Sequence, residues 1–323
     1  MTKLAIFNPT HLVASELRET LDRRRELWDR LELLSNREDE IGTLTEVRGE
    51  AAVVAAIDEA SFEGVDVAFF FGPAADYADL LDGLPDSTVA VLMAQDGDRA
   101  DGLPLVAGLN LDQAGAGATL QSPHPATVAA ALLLDRWLDL SPSRASLTVL
   151  QPVSVFGNEG LDELLEQTRA MLNFQSRDEN TALPQDLAFN VFQQAGSADG
   201  ILGSLNALLE ARRQAPFEIG CQILQTSVFH GFGLAMQIAF DEDPGLDALS
   251  QALEDTTFLD LDVHPHRFGP KQAVAQDRIL VGPPQAVGKG LYSVWVSFDN
   301  LTVTGAGNAM AILEALAPNL KAH

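Results

Sequence analysis

The stretch from Leu147 to Asn173, LTVLQPVSVFGNEGLDELLEQTRAMLN, separates two regions of different hydrophobic pattern and so limits the folds open to this chain. It reads as a strand, a loop containing Gly157 and Gly160, and a helix whose apolar positions Leu161, Leu164, Leu165, Met171 and Leu172 fall on one side. Gly160 is expected to start that helix. Asp162 and Glu163 then occupy its first turn, where carboxylates favour the positive end of the helix dipole.

Ahead of this stretch, short apolar runs alternate with helical patterns. Leu4–Phe7 is a strand candidate, followed by the turn Asn8-Pro9-Thr10 and a helix through Leu12, Leu17 and Leu21. Further strands are expected at Leu31–Leu34, Leu44–Val47, Val65–Phe71, Val89–Met93 and Leu105–Val106, with helices at Glu50–Ala60 and Pro73–Leu81. Such alternation predicts a parallel, doubly wound sheet. Pro123–Leu138 reads as a buried helix, because Ala129–Leu134 is apolar on every side.

Beyond the dividing stretch the strands alternate more clearly and helices thin out. Gln222–Phe229, Leu234–Phe240, Phe258–Val263, Arg278–Val281 and Leu291–Phe298 predict an α+β domain on a mixed or antiparallel sheet. A last helix, Asn308–Leu316, has the small and apolar residues to return to the first domain, with Pro318 marking its end. The fold class is therefore α/β. A Rossmann-like domain spans 1–124 and is completed by 305–323, and a second domain spans 125–304.

Charge narrows the choice of partners. With 46 acidic against 20 basic residues the formal charge is −26, a field that repels nucleic acid and anionic membrane surfaces. Neither is expected as a partner, and solubility or a salty habitat accounts for the acidity. A single cysteine, Cys221, rules out an internal disulfide and fits a reducing cytosol. The short apolar run after Lys3 falls short of a signal-peptide core, and no run reaches the roughly 18 apolar residues of a membrane helix. A cytoplasmic protein is the expectation.

A Rossmann domain that binds a dinucleotide places glycines in its first turn, so that the pyrophosphate can approach the helix N-terminus. That turn here runs Phe7-Asn8-Pro9-Thr10-His11-Leu12-Val13-Ala14 and holds no glycine. Pro9 removes an amide donor and His11 adds bulk, so no dinucleotide is expected at Asn8, Pro9, Thr10, His11 and Ala14.

Several segments taken together resemble the aspartate-β-semialdehyde dehydrogenase family, in the right order and over nearly the whole chain. They are Val153-Ser154 with Gly157, Gly160 and the helix after them; Leu187-Ala188-Phe189-Asn190-Val191; Val228-Phe229-His230-Gly231; Val281-Gly282; and Val296-Ser297-Phe298-Asp299-Asn300-Leu301 leading to Asn308-Ala309. The resemblance implies reduction of an acyl phosphate by NADPH through a thiohemiacetal on cysteine, with a histidine as acid/base and arginines holding substrate. It also implies that 125–304 is a dimerisation domain pairing two copies of the chain.

The roles do not carry over. Where the family has its nucleophile, in an Asn-Pro-Asn-Cys turn, this chain has Ser122-Pro123-His124-Pro125, and Pro125 has no nucleophilic atom. On the strand that supplies the arginine and the histidine, Gln225 and Phe232 stand instead. Thr302-Val303 replaces an arginine-lysine pair, and Ile201-Leu202-Gly203 replaces an acidic residue and a lysine. The pattern is closest to the Usg-like branch of the family, which has also lost the nucleophile.

Other chemistry-bearing residues have bland readings beside the sharp ones. Cys221 is expected to be a structural, partly buried thiol rather than a nucleophile. His230 could face the same side of a strand as Phe232, though an edge or surface histidine is the plainer reading. His264 and His266, near Asp260 and Asp262, would share a face of an extended segment, but without a third ligand no metal is expected. Gly305-Ala306-Gly307 reads as a tight helix start and Gly115-Ala116-Gly117 as a flexible loop.

The expected function is a catalytically inactive, homodimeric relative of the dehydrogenase, kept as a scaffold or for a regulatory contact and binding no cofactor. The alternatives are a divergent NAD(P)-dependent semialdehyde dehydrogenase, or a small-molecule binder using the same cleft around His124, His230 and Gln225.

Overall fold

The structure is a computed structural model that describes the chain except residues 59, 95–101, 116–118, 177–178, 195–197, 211, 213–216, 255, 263, 265–266 and 321–323. The chain divides into two compact units, Met1–His124 with Thr304–His323, and Pro125–Val303.

The first unit opens with β1 (Lys3–Phe7), α1 (Leu12–Arg23) and β2 (Arg30–Ser35). A hairpin of β3 (Leu44–Val47) and β4 (Glu50–Val53) follows, then β5 (Ala55–Ala56), β6 (Val67–Phe70), α2 (Ala78–Asp82), β7 (Val89–Met93), β8 (Leu103–Pro104) and β9 (Thr119–Ser122). Seven strands form one sheet in the order β5-β2-β1-β6-β7-β9-β8, and every pair in it is parallel. The central strands VAFF and VAVLM are buried at every position, as strands covered on both faces must be. The expected doubly wound parallel sheet is present.

The expected helix at Glu50–Ala60 is not. Its alanines favour helix locally, yet Arg48 and Gly49 have φ of 57° and 80°, the geometry of a two-residue hairpin turn, and Val47 pairs with Glu50 across it. Tertiary contacts hold the hairpin. The Arg48 amide donates to Asp22 Oδ1 at 2.9 Å, its guanidinium lies 3.8 Å from the Trp28 ring centroid, and Arg18 donates to Thr45 Oγ1 at 2.6 Å. The helix expected at Pro73–Leu81 is a 3₁₀ turn, Ala74–Asp76, followed by α2. Leu105 and Val106 are buried just past β8 rather than within it.

The second unit contains α3 (Pro125–Asp135), β10 (Pro142–Gln151), α4 (Gly157–Leu172), β11 (Val191–Gln194), α5 (Ala198–Glu210), β12 (Glu218–Thr226) and β13 (Phe232–Phe240). It continues with α6 (Gly245–Gln251), β14 (Leu259–Leu261), α7 (Pro270–Ala273), β15 (Ile279–Val281), β16 (Gln285–Gly288) and β17 (Leu291–Phe298). Its sheet runs β11-β12-β10-β13-β17-β15-β14, with β16 also on β17. The β10–β12 and β14–β15 pairs are parallel and the others antiparallel, so the sheet is mixed as expected. Helix α3 is buried from Pro125 to Leu134, which bears out its uniformly apolar reading.

Helix α4 departs from expectation in both its start and its face. It begins at Gly157, and Gly160 lies inside it, where a Cβ would come within 2.4 Å of Phe156 Cβ. The buried face is Gly160, Glu163, Leu164, Gln167 and Ala170, whereas Leu165, Met171 and Leu172 are 36%, 50% and 65% exposed. Two polar residues turn inward because they satisfy backbone amides. Glu163 Oε2 accepts from Thr181, Ala182 and Leu183, and Gln167 Oε1 accepts from Leu187 and Ala188.

One face of the second unit's sheet is covered by the core and the other is open. Thr148 stands opposite Gln222 and Ala235, Ala235 opposite Trp295, and Gln237 opposite Ser293. These residues alternate with the buried Leu147, Val149, Leu234, Met236 and Val294 and carry no charge.

A π-helical turn, Thr302–Ala306, leads into α8 (Gly307–Leu320). This helix passes through Pro318 instead of ending there. A proline in the last turn forfeits only one hydrogen bond, and its φ already suits a helix. Within the first unit Asn308 ties α8 down, accepting from the Ala107 amide at 2.8 Å and donating to Leu105 O and Ser122 Oγ, each at 2.9 Å. No helix among the described residues is long and apolar enough to cross a membrane.

Candidate functional site

The first candidate place is the β1–α1 turn. Asn8 adopts φ of 57°, a left-handed conformation that a short polar side chain tolerates, and so the turn stays tight without glycine. Its amide donates to Leu34 O at 2.9 Å and its Nδ2 to Phe71 O at 3.0 Å, while its Oδ1 accepts from Ser35. His11 caps α1, its Nδ1 accepting from the Val13 amide at 3.3 Å, and its ring stacks on Phe71 at 5.7 Å. Burial pushes the His11 imidazole down to about 4, so the ring that fills the helix N-terminus is neutral.

The loop after β2 closes on the same turn. Glu40 is buried, hydrogen-bonded to Thr10 and to Ser35 Oγ at 2.7 Å, and 3.6 Å from Arg37. Arg37 also reaches Asp39 at 3.2 Å, so the one cation of this loop is matched by two carboxylates. The buried Glu40 escaped the sequence reading, because a run such as Glu38-Asp39-Glu40 looks like solvated surface.

The second place lies in the second unit, where β10, β12 and β17 end and β13 begins. Gln225 is fully buried. Its Nε2 donates to Gln151 O at 3.1 Å and Thr226 O at 3.2 Å, and its Oε1 accepts from Gln151 Nε2 at 3.0 Å. Gln151 Nε2 also donates to Gln194 Oε1 at 2.8 Å, which makes a network of three carboxamides. Phe232 is equally buried and stacks on Phe298 with centroids 5.3 Å apart and planes 10° apart. Pro125 is buried at the first position of α3, and His124, just ahead of it, is buried at the end of the first unit's chain segment.

His230 is not on a strand. β12 ends at Thr226 and β13 begins at Phe232, so residues 227–231 form a turn in which Gly231 has φ of 82° and packs against the Pro270 carbonyl. The expected strand Gln222–Phe229 is thereby shortened at its end, and the shared strand face of His230 and Phe232 does not exist. Loop β10–α4 docks on this turn, Val153 N donating to Val228 O at 2.8 Å and Ser154 N to Phe229 O at 3.0 Å.

The remaining candidates are dispersed. Cys221 sits on β12 opposite Leu147, and burial raises its thiol to about 11, which suppresses the thiolate. Asp260 is on β14 and 3.9 Å from Arg278, while Asp262 accepts from the His264 amide at 2.7 Å. His266 lies outside the described residues, as do Ala116 and Gly117 of the Gly115-Ala116-Gly117 loop and Val263 at the end of the strand expected at Phe258–Val263. Among the described residues no three His, Cys, Asp or Glu side chains converge as a metal set. Ile201 is buried on α5, and Thr302 Oγ1 donates to Gln276 O at 2.8 Å.

Two curated relatives align from end to end. The USG-1 protein homologue of Azotobacter vinelandii is 29% identical, and that of Pseudomonas aeruginosa is 27% identical, each over 97% of both chains. The chain is similar over nearly its whole length to USG-1 homologues and, at lower identity, to aspartate-semialdehyde dehydrogenases. The fold of that family is matched by the solved structure of a probable aspartate-semialdehyde dehydrogenase from Pseudomonas aeruginosa, with a TM-score of 0.85 and 24% identity over 98% of each chain. No protein-family model matches the chain. Three residues in the segments that carry the family resemblance have architectural roles. Gly160 inside α4, Ser154 on the Phe229 carbonyl, and Asn308 tying down α8 each satisfy backbone or packing needs.

Proposed function

We propose that this USG-1-like relative is catalytically silent and acts as a paired scaffold or regulatory subunit. The observation that carries the reading is the state of Gln225 and Phe232, the positions where the family resemblance implies an arginine and a histidine. Both are fully buried and committed to internal partners, Gln225 to Gln151 and Thr226, and Phe232 to Phe298. Neither offers a charge or a proton to a substrate. Pro125 at the nucleophile position adds no thiol.

The same reading extends to the cofactor. The residues of the β1–α1 turn do not fit a pyrophosphate, because the neutral His11 imidazole occupies the Val13 amide and Pro9 supplies none. An NADP 2′-phosphate would meet Arg37 only in competition with Asp39 and Glu40.

Pairing is supported by the open sheet face in the second unit. In a chain carrying −26 charges, an uncharged strip through Thr148, Gln222, Ala235, Gln237, Ser293 and Trp295 suits a second copy of itself, because like fields elsewhere would keep two copies apart. Two measurements test the proposal. Phosphate-dependent reduction of NADP with aspartate semialdehyde at ordinary enzyme rates would refute the silent reading. A solution mass of one chain, at concentrations of tens of micromolar and at high salt, would refute the pairing.

A further inference from the structure

The β3–β4 hairpin of the first unit rests on α1 by its inner face, through the hydrogen bonds of Arg18 to Thr45 and of the Arg48 amide to Asp22. On its outer face Leu44 stands opposite Val53 and Glu46 opposite Ala51, and Leu44 and Val53 are 74% and 55% exposed. The Val54 amide donates to Thr43 O at 3.0 Å, which fixes the parity of the ladder. The pairs Thr45–Ala52 and Val47–Glu50 exchange backbone bonds, while the amides and carbonyls of Leu44, Glu46, Ala51 and Val53 point away from the hairpin. Among the described residues no further strand pairs with β3 or β4.

The two edges differ. Charges and prolines are what keep an exposed edge strand from pairing, and β3 has Glu46 at its outward position. On β4 the run from Ala51 to Val53 has neither, and no charge or proline follows before Asp58. Antiparallel self-pairing about a two-fold axis at Ala52 would set Ala51 of each copy opposite Val53 of the other, so that both outward amides and both outward carbonyls of each copy find partners. Leu44 and Val53 would then lie in one row with Ala51 of the second copy. The two Glu46 side chains would stand three strand spacings apart, about 14 Å, beyond the screening length of about 8 Å at physiological salt. Self-pairing of β3 about Thr45 would instead bring the two Glu46 carboxylates to diagonal positions on adjacent strands, about 7–8 Å apart, where they repel. In a chain of −26 charges that difference selects the β4 edge.

We propose that the β4 edge is an interface between two copies of this chain, in which two β3–β4 hairpins join as one four-stranded antiparallel sheet. The contact uses residues of the first unit only, and it stands whether or not the second unit pairs through its open sheet face. Where both contacts form, two different two-fold interfaces on one chain build an assembly larger than a pair.

Disulfide trapping reads the register. In a Cys221→Ser background, where introduced thiols are the only ones, full-length Ala51→Cys protein is mixed with isotope-labelled Val53→Cys protein at about 0.5 mM and about 0.5 M salt. The mixture is oxidised with copper phenanthroline and the linked species are weighed by mass spectrometry. Positions 51 and 53 of opposite copies would lie about 5.5 Å apart at Cα, within disulfide reach, and like positions about 7–8 Å apart, beyond it. The mixed link is expected to exceed each like link at least about fivefold, and the about twofold excess of random encounter overturns the proposal. Light scattering gives a second reading. Val53→Lys is expected to lower the mean mass in solution both in the natural chain and in Gln237→Arg, which charges the exposed sheet face of the second unit. A mass that Val53→Lys leaves unchanged in either protein overturns the hairpin contact, whereas a mass that Gln237→Arg leaves unchanged counts against the sheet-face pairing alone.

Discussion

Gln225 and Gln151 grip each other across the β10–β12 pair: Gln225 donates to the Gln151 carbonyl at 3.1 Å and accepts from the Gln151 side chain at 3.0 Å. Both residues are buried, and each uses the other to satisfy polar atoms that water cannot reach. An arginine at position 225 would meet the Gln151 carboxamide and the carbonyls of Gln151 and Thr226, which offer it no counter-charge. Gln225→Arg is expected to destabilise the protein by about 3–5 kcal/mol, the cost of a buried charge without a counter-charge. Gln225→Leu, which strands fewer polar atoms, should cost about 1–2 kcal/mol. Urea denaturation of the three proteins checks the order.

His11 gives the fold a pH dependence above the range of the carboxylates. Its imidazole titrates near 4 in the folded chain against about 6.5 when unfolded, so the unfolded state takes up the proton first. Its contribution to stability is complete above pH 6.5 and is lost as the pH falls from there towards 4. His11→Asn keeps a cap for α1 without the titration. The slope of unfolding free energy against pH between 6.5 and 4 is expected to be shallower in the variant, as measured by denaturant titrations.

Glu163 governs a lower window. Desolvation is the strongest single influence and pushes its carboxyl up, but the amides of Ala182, Thr181 and Leu183 together with the Gln167 side chain outweigh it and leave the group below its ordinary 4.5. Stability from this carboxylate is therefore full above 4.5 and lost as the pH falls through the lower folded value. Amide hydrogen exchange at Thr181, Ala182 and Leu183 should speed up in that window before the β10–β13 pair opens. Glu163→Gln should abolish the pH dependence and leave the three amides less protected at neutral pH, at a cost of about 1–3 kcal/mol.

The charge of −26 predicts a salt response of the whole fold. Raising salt from about 0.01 M to about 1 M shortens the screening length from about 30 Å to about 3 Å and relieves self-repulsion among the surface carboxylates. The thermal midpoint is expected to rise over this range and the mass in solution to shift towards the pair. Calorimetry and light scattering at the two ends of the series read both effects.

The two sheets were legible because burial leaves a plain trace in a sequence. Runs such as VAFF and VAVLM, apolar at every position, belong only where both faces are covered, and the alternating pattern of 291–298 belongs where one face is. The helix α3 announced itself in the same way. The glycine-free first turn was also visible, and so were Pro125, Gln225 and Phe232 at positions where the family resemblance implies reactive side chains.

What the sequence left undecided was settled by contacts between residues far apart in it. An alanine-rich segment at 50–56 has helical propensity, but Asp22, Trp28 and Arg18 hold its hairpin in place. The leucines of α4 suggest one buried face, but the amides of 181–183 and 187–188 need acceptors and draw Glu163 and Gln167 inward instead. His230 looks like the next residue of a strand until Gly231 turns against Pro270. Local pattern determined which segments are buried and which sheets they build. Only the tertiary structure decided which polar atoms meet, because a hydrogen bond between residues such as 154 and 300 depends on positions that no local period encodes.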